Sequence, residues 1–276
     1  MSEDVTNSAE VVWGGPSGFV EYEIDIEKIL RVDLPSVLKM VEMAPLIPSA
    51  IKALPIGAKG AYVLYENGLP VYAGKTDTRH GFRDRLLRHA STIQHRHNLD
   101  PASMHFRAIR ILVFSNFDVE AILINEMRKI DPSALSWNDS GFGSNDPGHN
   151  RETQKSANFD KQRPVDIDRP LDMVATGAHP LLPLLIAMKD HLPYTFRYKT
   201  DLIGKKSAHY RTGHIDQRDA DPIEVLNNEI VTLRFLMRKV LAALPIGWRV
   251  TVFPDRVILY KETTIYPEAL EIIEMP

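Results

Sequence analysis

Residues 60–75 constrain this chain more than any other stretch. They read Gly-Ala-Tyr-Val-Leu-Tyr-Glu-Asn-Gly-Leu-Pro-Val-Tyr-Ala-Gly-Lys, two β-prone runs joined at Asn67-Gly68. An Asn-Gly pair in that setting is a strong short-range hairpin signal, because both residues tolerate positive φ. Two loops are open to it. A two-residue loop pairs Glu66 with Leu69 and sets Tyr62 opposite Ala73, so Tyr62 and Tyr72 fall on opposite faces. A three-residue loop over 66–68, with Gly68 left-handed, pairs Tyr65 with Leu69 and sets Tyr62 across from Tyr72. We expect the second, since only it lets the two phenols share a site. Cross-strand aromatic packing is the structural use such a pair has without any chemistry.

A helix is expected over residues 82–96. Phe82, Leu86, Ala90 and Ile93 recur at helical spacing and form one buried stripe. Arg85, His89 and Arg96 lie along one flank of it, whereas Arg88 is expected to face water. Arg85 is therefore the arginine able to reach inward beside the hairpin, with His89 one turn on. A second helix is expected over residues 117–130 with Asp118 as its N-cap. It carries two acidic candidates, Glu120 and Glu126, on opposite flanks of a Leu123-Met127-Ile130 stripe.

Gly60-Ala61-Tyr62 and Tyr72-Ala73-Gly74, followed by Arg85 and His89, resemble the GIY-YIG nuclease superfamily, with alanine at the middle of each motif. The resemblance covers roughly residues 58–152. It implies a catalytic glutamate on the second helix that holds one divalent ion, Mg²⁺ or Mn²⁺, and an asparagine beyond it. Glu120 sits in Glu-Ala-Ile-Leu-Ile, which resembles the family's Glu-x-x-Leu-Ile pattern, and is the expected metal ligand; Glu126 has the better spacing to Asn138. Residues 141–148 (Gly-Phe-Gly-Ser-Asn-Asp-Pro-Gly) resemble a motif that follows the asparagine in the type II restriction endonuclease branch.

The implied reaction is hydrolysis of a phosphodiester in double-stranded DNA. Tyr62 would act as base on water, assisted by His89 or Lys75, and Tyr72 would orient the phosphate. A phenol's ordinary pKa of about 10 makes it a poor base at neutral pH, so the cationic forms of Arg85, His89 and Lys75 are expected to favour the phenolate. Arg85 offers the phosphate a rigid fork of donors. A single carboxylate implies an ion that keeps most of its waters. Palindromic sites imply a homodimer, and restriction implies a cognate DNA methyltransferase encoded nearby. Two other expectations share the core: a repair or structure-selective nuclease, and a DNA-binding module that no longer cuts.

The net charge of −3 suits DNA binding only when it is localised: residues 75–110 hold eight Lys or Arg against three Asp or Glu. His95-Arg96-His97-Asn98, Arg107 and Arg110 are candidate DNA contacts there. Cysteine is absent, which excludes disulfides, thiolate zinc sites and cysteine nucleophiles. With no apolar run of spanning length and an acidic start, a cytoplasmic protein is expected, with no membrane partner.

The expected fold class is α+β, a small antiparallel sheet flanked by helices, with a helical N-terminal extension and a further α+β C-terminal region. The expected divisions are residues 1–52, 53–163 and 164–276. Residues 1–10 are expected disordered, 19–32 a strand entering a short helix, and 34–43 a second helix. Residues 149–163 are expected to be a flexible arm and 164–170 a linker. Helices are expected over 180–191 and 223–243, then a hairpin of 248–253 and 256–260. Its prelude, Ala243-Leu244-Pro245-Ile246-Gly247, repeats Ala53-Leu54-Pro55-Ile56-Gly57, which reads as a shared helix-to-strand turn. Between these elements, Arg197-Tyr198-Lys199, Gly204-Lys205-Lys206 and His209-Tyr210-Arg211 form a basic, aromatic stretch suited to DNA contact, with a solvated loop as the alternative, and the C-terminal region is expected to supply a dimer contact or extra DNA grip.

Overall fold

The structure is a computed structural model that describes residues 9–12, 21–24, 26–77, 79–111, 118–143, 153–204 and 206–275. It is α+β, as expected. By its contacts the chain forms two compact units, residues 1–90 with 101–138 and residues 91–100 with 139–276. The expected boundaries at 52 and 163 are not where the contacts divide. Leu34 and Leu38, from the expected extension, lie in the core of the first unit. Val165 and Ile167, from the expected linker, are 2% and 3% exposed in the core of the second.

In the first unit, β1 (Ala9–Val12) pairs antiparallel with β2 (Glu21–Ile24). One helix, α1 (Ile26–Met40), runs through Pro35 where two shorter ones were expected. Then come β3 (Ala44–Pro45), α2 (Pro48–Ala53), β4 (Gly60–Glu66), β5 (Leu69–Lys75), α3 (Phe82–Gln94, of which Ser91 onward is counted with the second unit), β6 (Met104–Arg110) and α4 (Val119–Ile130). Four of the strands form an antiparallel sheet in the order β3-β6-β4-β5. On one face Ala61, Val63, Tyr65 and Ala73 pack with Leu34 and Leu38 of α1 and Ile122 and Leu123 of α4. Each Val, Leu or Ile side chain so buried contributes about 1.5–3 kcal/mol. The other face carries Tyr62, Leu64 and Tyr72.

The hairpin follows neither expected register. Asn67 and Gly68 have φ of 51° and 80°, the signature of a two-residue type I′ turn, and Glu66 pairs with Leu69. The expected three-residue loop is thus absent. The register then shifts by one between Leu64 and Tyr65: Tyr65 pairs with Pro70, Leu64 with Tyr72 and Tyr62 with Gly74, leaving Val71 as the extra residue of a β-bulge. That single residue restores the parity the turn would have broken. Tyr62 and Tyr72 share a face as diagonal neighbours, not as a directly opposed pair.

The second unit contains α5 (Asn158–Gln162), β7 (Gly177–His179), α6 (Leu181–His191), β8 (Thr195–Tyr198), β9 (Leu202–Ile203), β10 (Lys206–Ser207), α7 (Ile215–Asp219), β11 (Ile223–Val225), α8 (Leu233–Ala243), β12 (Trp248–Val252), β13 (Arg256–Lys261) and β14 (Glu271–Glu274). Its main sheet runs β14-β12-β13-β8, with β13 and β8 parallel. The helix expected over 223–243 is only its second half, because Thr232 caps α8 by accepting from the Phe235 N–H at 3.1 Å and residues 223–225 form a strand. The expected flexible arm holds α5 instead, with Phe159 2% exposed; His149 to Glu152 lie outside the described residues. Both copies of Ala-Leu-Pro-Ile-Gly do follow a helix. Leu54 and Leu244 are extended C-caps, and Gly57 and Gly247 take φ of 68° and 101°.

Candidate active site

A missing side chain makes room for the two phenols. A Cβ on Gly74 would lie 2.6 Å from the Tyr62 hydroxyl oxygen and 2.8 Å from Tyr72 Cε1. Gly60 is excluded from any other identity by the neighbouring strand, since its Cβ would lie 2.0 Å from the Ile109 carbonyl oxygen. The glycine of each tyrosine motif is thus a close-approach position. Over Gly74 the two tyrosine rings are 6.2 Å apart, and His89 from α3 completes the cluster at 5.7 Å from Tyr62 and 5.3 Å from Tyr72. The Tyr62 hydroxyl and His89 Nε2 are 2.9 Å apart in a buried hydrogen bond. α3 delivers His89 because Phe82, Leu86, Ala90 and Ile93 are all buried, as their spacing requires.

Burial dominates the ionisation of this cluster. It raises the Tyr62 phenol well above its ordinary value, helped by the neighbouring Tyr72 and opposed by Arg85. Tyr72 is raised by burial and then by the Glu120 carboxylate. His89 is pushed down to about 3 by burial and by the charges of Arg88 and Arg85, so it is a neutral imidazole at pH 7. The expected tuning of the phenol by surrounding cations is therefore corrected. Arg85 alone acts in that sense on Tyr62; His89 is uncharged; and Lys75 Nζ is engaged with Asp118 Oδ1 at 2.8 Å. Alternation explains Lys75: it shares the face of Ala73 and turns from the tyrosines.

Arg85 acts electrostatically on each of Tyr62, Tyr72, His89 and Glu120. Its Nη2 lies 3.5 Å from Asp77, and its Nε is buried with no hydrogen-bond partner. Glu120, in the first turn of α4, is half-buried, and burial raises its pKa against the opposing charge of Lys75. Glu126 stands elsewhere, paired with Arg31 at 3.2 Å and Lys129 at 2.7 Å. A divalent ion fits Glu120 by donor chemistry: a carboxylate made costly by burial gains from a cation, and one protein oxygen leaves such an ion its waters.

Asn138 is in the first unit but not in the phenol cluster. Its carboxamide accepts from the Ala73 N–H at 2.9 Å and donates to the Ala73 carbonyl at 2.8 Å. With Leu135 N–H to Pro70 O and Trp137 N–H to Val71 O, it closes the outer edge of β5. Asn138 thus holds the strand that presents Tyr72. Of the expected DNA contacts, Arg96 is 7% exposed and paired with Asp160 at 2.7 Å inside the second unit, which withdraws it from any surface. Arg107 lies over the Tyr65 ring, 5.1 Å from its centre. The Gly-rich motif after Asn138 is described only to Gly143; Ser144 to Gly148 lie outside the described residues.

Three participants escaped the sequence reading. Arg88 is exposed as expected, yet its charge reaches Tyr72 and His89. Asp77 and Asp118 hold Arg85 and Lys75, and Asp118 also caps α4 at the Ala121 N–H, 3.2 Å away. Helical spacing placed Arg88 three residues from Arg85, and that proximity was its only legible signal. Among the described residues no group of three or more His, Cys, Asp or Glu gathers to hold a metal, and no helix is long and apolar enough to cross a membrane. No family model and no curated protein matches the chain.

Proposed function

We propose that this chain is a metal-dependent endonuclease of the GIY-YIG kind, cutting double-stranded DNA at a specific palindromic site as a type II restriction endonuclease. The observation that carries this reading is the buried Tyr62–His89 hydrogen bond with Tyr72 in ring contact with both. A buried phenol needs a hydrogen-bond partner in any case; here that partner is an imidazole able to take a proton, and a second phenol lies against both rings. In the proposed reaction the attacking water gives its proton to Tyr62 as Tyr62 passes its own to His89 Nε2. The water oxygen bonds to phosphorus, the bond to the leaving oxygen breaks, and that oxygen takes a proton from solvent. The relay replaces a free phenolate by a His89 imidazolium; burial disfavours both, and the negative phosphate would favour the imidazolium. Arg85 would face the phosphate oxygens and Tyr72 would orient them. Glu120 would hold Mg²⁺ or Mn²⁺, which when bound supplies positive charge at the phosphate.

The protein would act in the cytoplasm as a homodimer whose two-fold axis matches that of its site, alongside a protecting methyltransferase. Incubation with plasmid DNA and Mg²⁺ tests this: discrete fragments are expected, whereas smearing or branch-dependent cutting points to repair and binding without cutting to an inert module. Tyr62→Phe and Glu120→Gln should each lower the rate by roughly 10²–10⁴-fold while DNA is still bound. Normal cutting by Glu120→Gln together with loss in Glu126→Gln would overturn the metal assignment.

A further inference from the structure

The second unit contains a small hairpin that the chemistry above does not use. β9 and β10 pair Ile203 with Lys206 and Leu202 with Ser207. Its root is pinned from several sides. The Asp201 N–H donates to Gly213 O at 2.9 Å, the Ala208 N–H to Asp201 O at 2.8 Å, and the Thr200 hydroxyl to Ala208 O at 3.1 Å. The Asp201 carboxylate takes Arg218 at 2.7 Å and the Ile215 N–H at 3.1 Å. Thr200 and Ala208 are buried, whereas Leu202 and Ile203 are 63% and 70% exposed. Two adjacent large aliphatic residues thus stand in water on a hairpin whose root is fixed.

Successive residues of a strand point to opposite faces. Leu202 and Ile203 therefore offer apolar surface on both sides of a narrow ribbon, opposite a serine and a lysine. A flat protein surface is met by one face. A two-sided apolar ribbon matches a slot with apolar walls above and below, which is what a partly opened base step offers. The surrounding charge agrees. Residues 197–218 carry six Lys or Arg against two Asp, in a chain of net charge −3. Both aspartates are already paired, Asp201 with Arg218 and Asp216 with Lys261 at 2.9 Å. The aromatic residues of this stretch are not the contact: Tyr198 is buried and its hydroxyl donates to Tyr210 O at 3.0 Å.

We propose that the β9–β10 hairpin is a DNA wedge: Leu202 and Ile203 enter a base step from the minor groove and partly unstack it, while Lys206 faces the adjoining phosphates. The wedge rests on the nuclease reading for its partner but not on the tyrosine site for its action, so the two can fail separately. Insertion unwinds the duplex, and unwinding is readable without knowing the recognition sequence. The full-length protein would be bound to closed circular plasmid in EDTA, which prevents cutting, and the plasmid relaxed with a topoisomerase that needs no metal. The wild-type protein should shift the topoisomer distribution. Leu202→Ser with Ile203→Ser should abolish the shift while plasmid affinity stays within about 3-fold, since phosphate contacts dominate binding. Lys206→Glu should weaken binding across all sequences and lower the salt dependence by about one counterion. Both changes are at exposed positions and should leave the unfolding temperature unchanged. Wild-type protein that binds and cuts without shifting topoisomers, or a double variant with the full shift, overturns the wedge alone. Loss of capture on phosphatidylserine vesicles in the double variant, with its topoisomer shift intact, also overturns it. Wild-type protein that neither binds nor cuts plasmid removes the nuclease reading and the wedge together.

Discussion

Two hairpins in this molecule begin from the same pentapeptide and end up as different objects. β12–β13 pairs in one unbroken register from Trp248 with Lys261 to Val252 with Val257, and strands β14 and β8 cover it on both sides. Its buried polar residues are Thr251 and Arg256; Arg256, at 1% exposure, sits beside Asp255 and donates to Gln154 O. β4–β5 carries a bulge at Val71 and lies at the edge of its sheet, and its buried polar groups are a phenol and an imidazole bonded to each other. Regular pairing with its neighbours on both edges makes a core. One extra residue at an edge re-aims side chains onto a common face, which is a requirement of a site and not of a core. Tyr62 and His89 each have a proton equilibrium that burial has displaced.

The largest effect should come from filling the gap over which the phenols meet. Gly74→Ala would put a methyl 2.6 Å from a hydroxyl that belongs to a side chain only 1% exposed, so Tyr62 has nowhere to retreat. We expect a cost of roughly 1–3 kcal/mol in stability and a loss of cleavage of about 100-fold or more, because a displacement of 1 Å at reacting groups is enough for that. Gly247→Ala, in the turn before the other hairpin, meets only Lys261 Cγ at 3.9 Å. It should cost stability through its φ of 101° and leave cleavage intact. Equal losses of activity in the two variants would erase the distinction between the hairpins.

The same region shows what was legible beforehand. The turn, the two tyrosines, the α3 stripe and the α4 cap were all written in spacing and turn chemistry. The register was not, because a two-residue turn and a three-residue loop compete on nearly equal terms and a bulge combines features of both. Pro70 was the overlooked signal. Proline within a strand is confined to edges and bulges, and here it is at both. The ionisation of the site was also hidden, since a histidine's charge depends on how many apolar neighbours surround it and not on its place in a helix repeat. The expected linker misled for a related reason. Pro164 and Pro170 mimic a linker in composition, but Val165 and Ile167 between them are core residues.

The second prediction reads the buried pair of the tyrosine hairpin by pH. His89 has a folded-state pKa of about 3 against an ordinary 6.5, so unfolding takes up a proton anywhere between those values. Stability contributed in this way is full above 6.5 and is lost as pH falls, at about 1.4 kcal/mol per unit through the window. The difference in unfolding free energy between the wild type and His89→Gln, followed by urea titration at several pH values from 4 to 8, should carry that slope. A difference that is flat with pH would mean that burial does not depress His89, and the buried setting assigned to the Tyr62–His89 pair would be wrong.

The smallest effect concerns the edge itself. β12 and β13 have strands on both outer sides, whereas β5 has on its outer side only three short contacts from residues 135–138. Asn138 supplies one of these by imitating a peptide group, with its oxygen on the Ala73 N–H and its nitrogen on the Ala73 carbonyl. Ala73 is fully buried, so Asn138→Ala leaves both backbone groups without that partner, at a cost of roughly 1–3 kcal/mol. The phenols stand on the opposite face from Ala73, and the bulge that aims them is held separately by the Trp137 N–H on Val71 O. Cleavage by the folded fraction should therefore fall less than about 10-fold, and the pH dependence of the rate should not move. Asn138→Asp keeps the acceptor but turns a carboxylate oxygen toward the Ala73 carbonyl, so it should be the less stable of the two at neutral pH and recover toward Asn138→Ala as the carboxylate is protonated. If Asn138→Ala instead alters the pH profile of cleavage, the residue touches the reacting groups and the edge is part of the site.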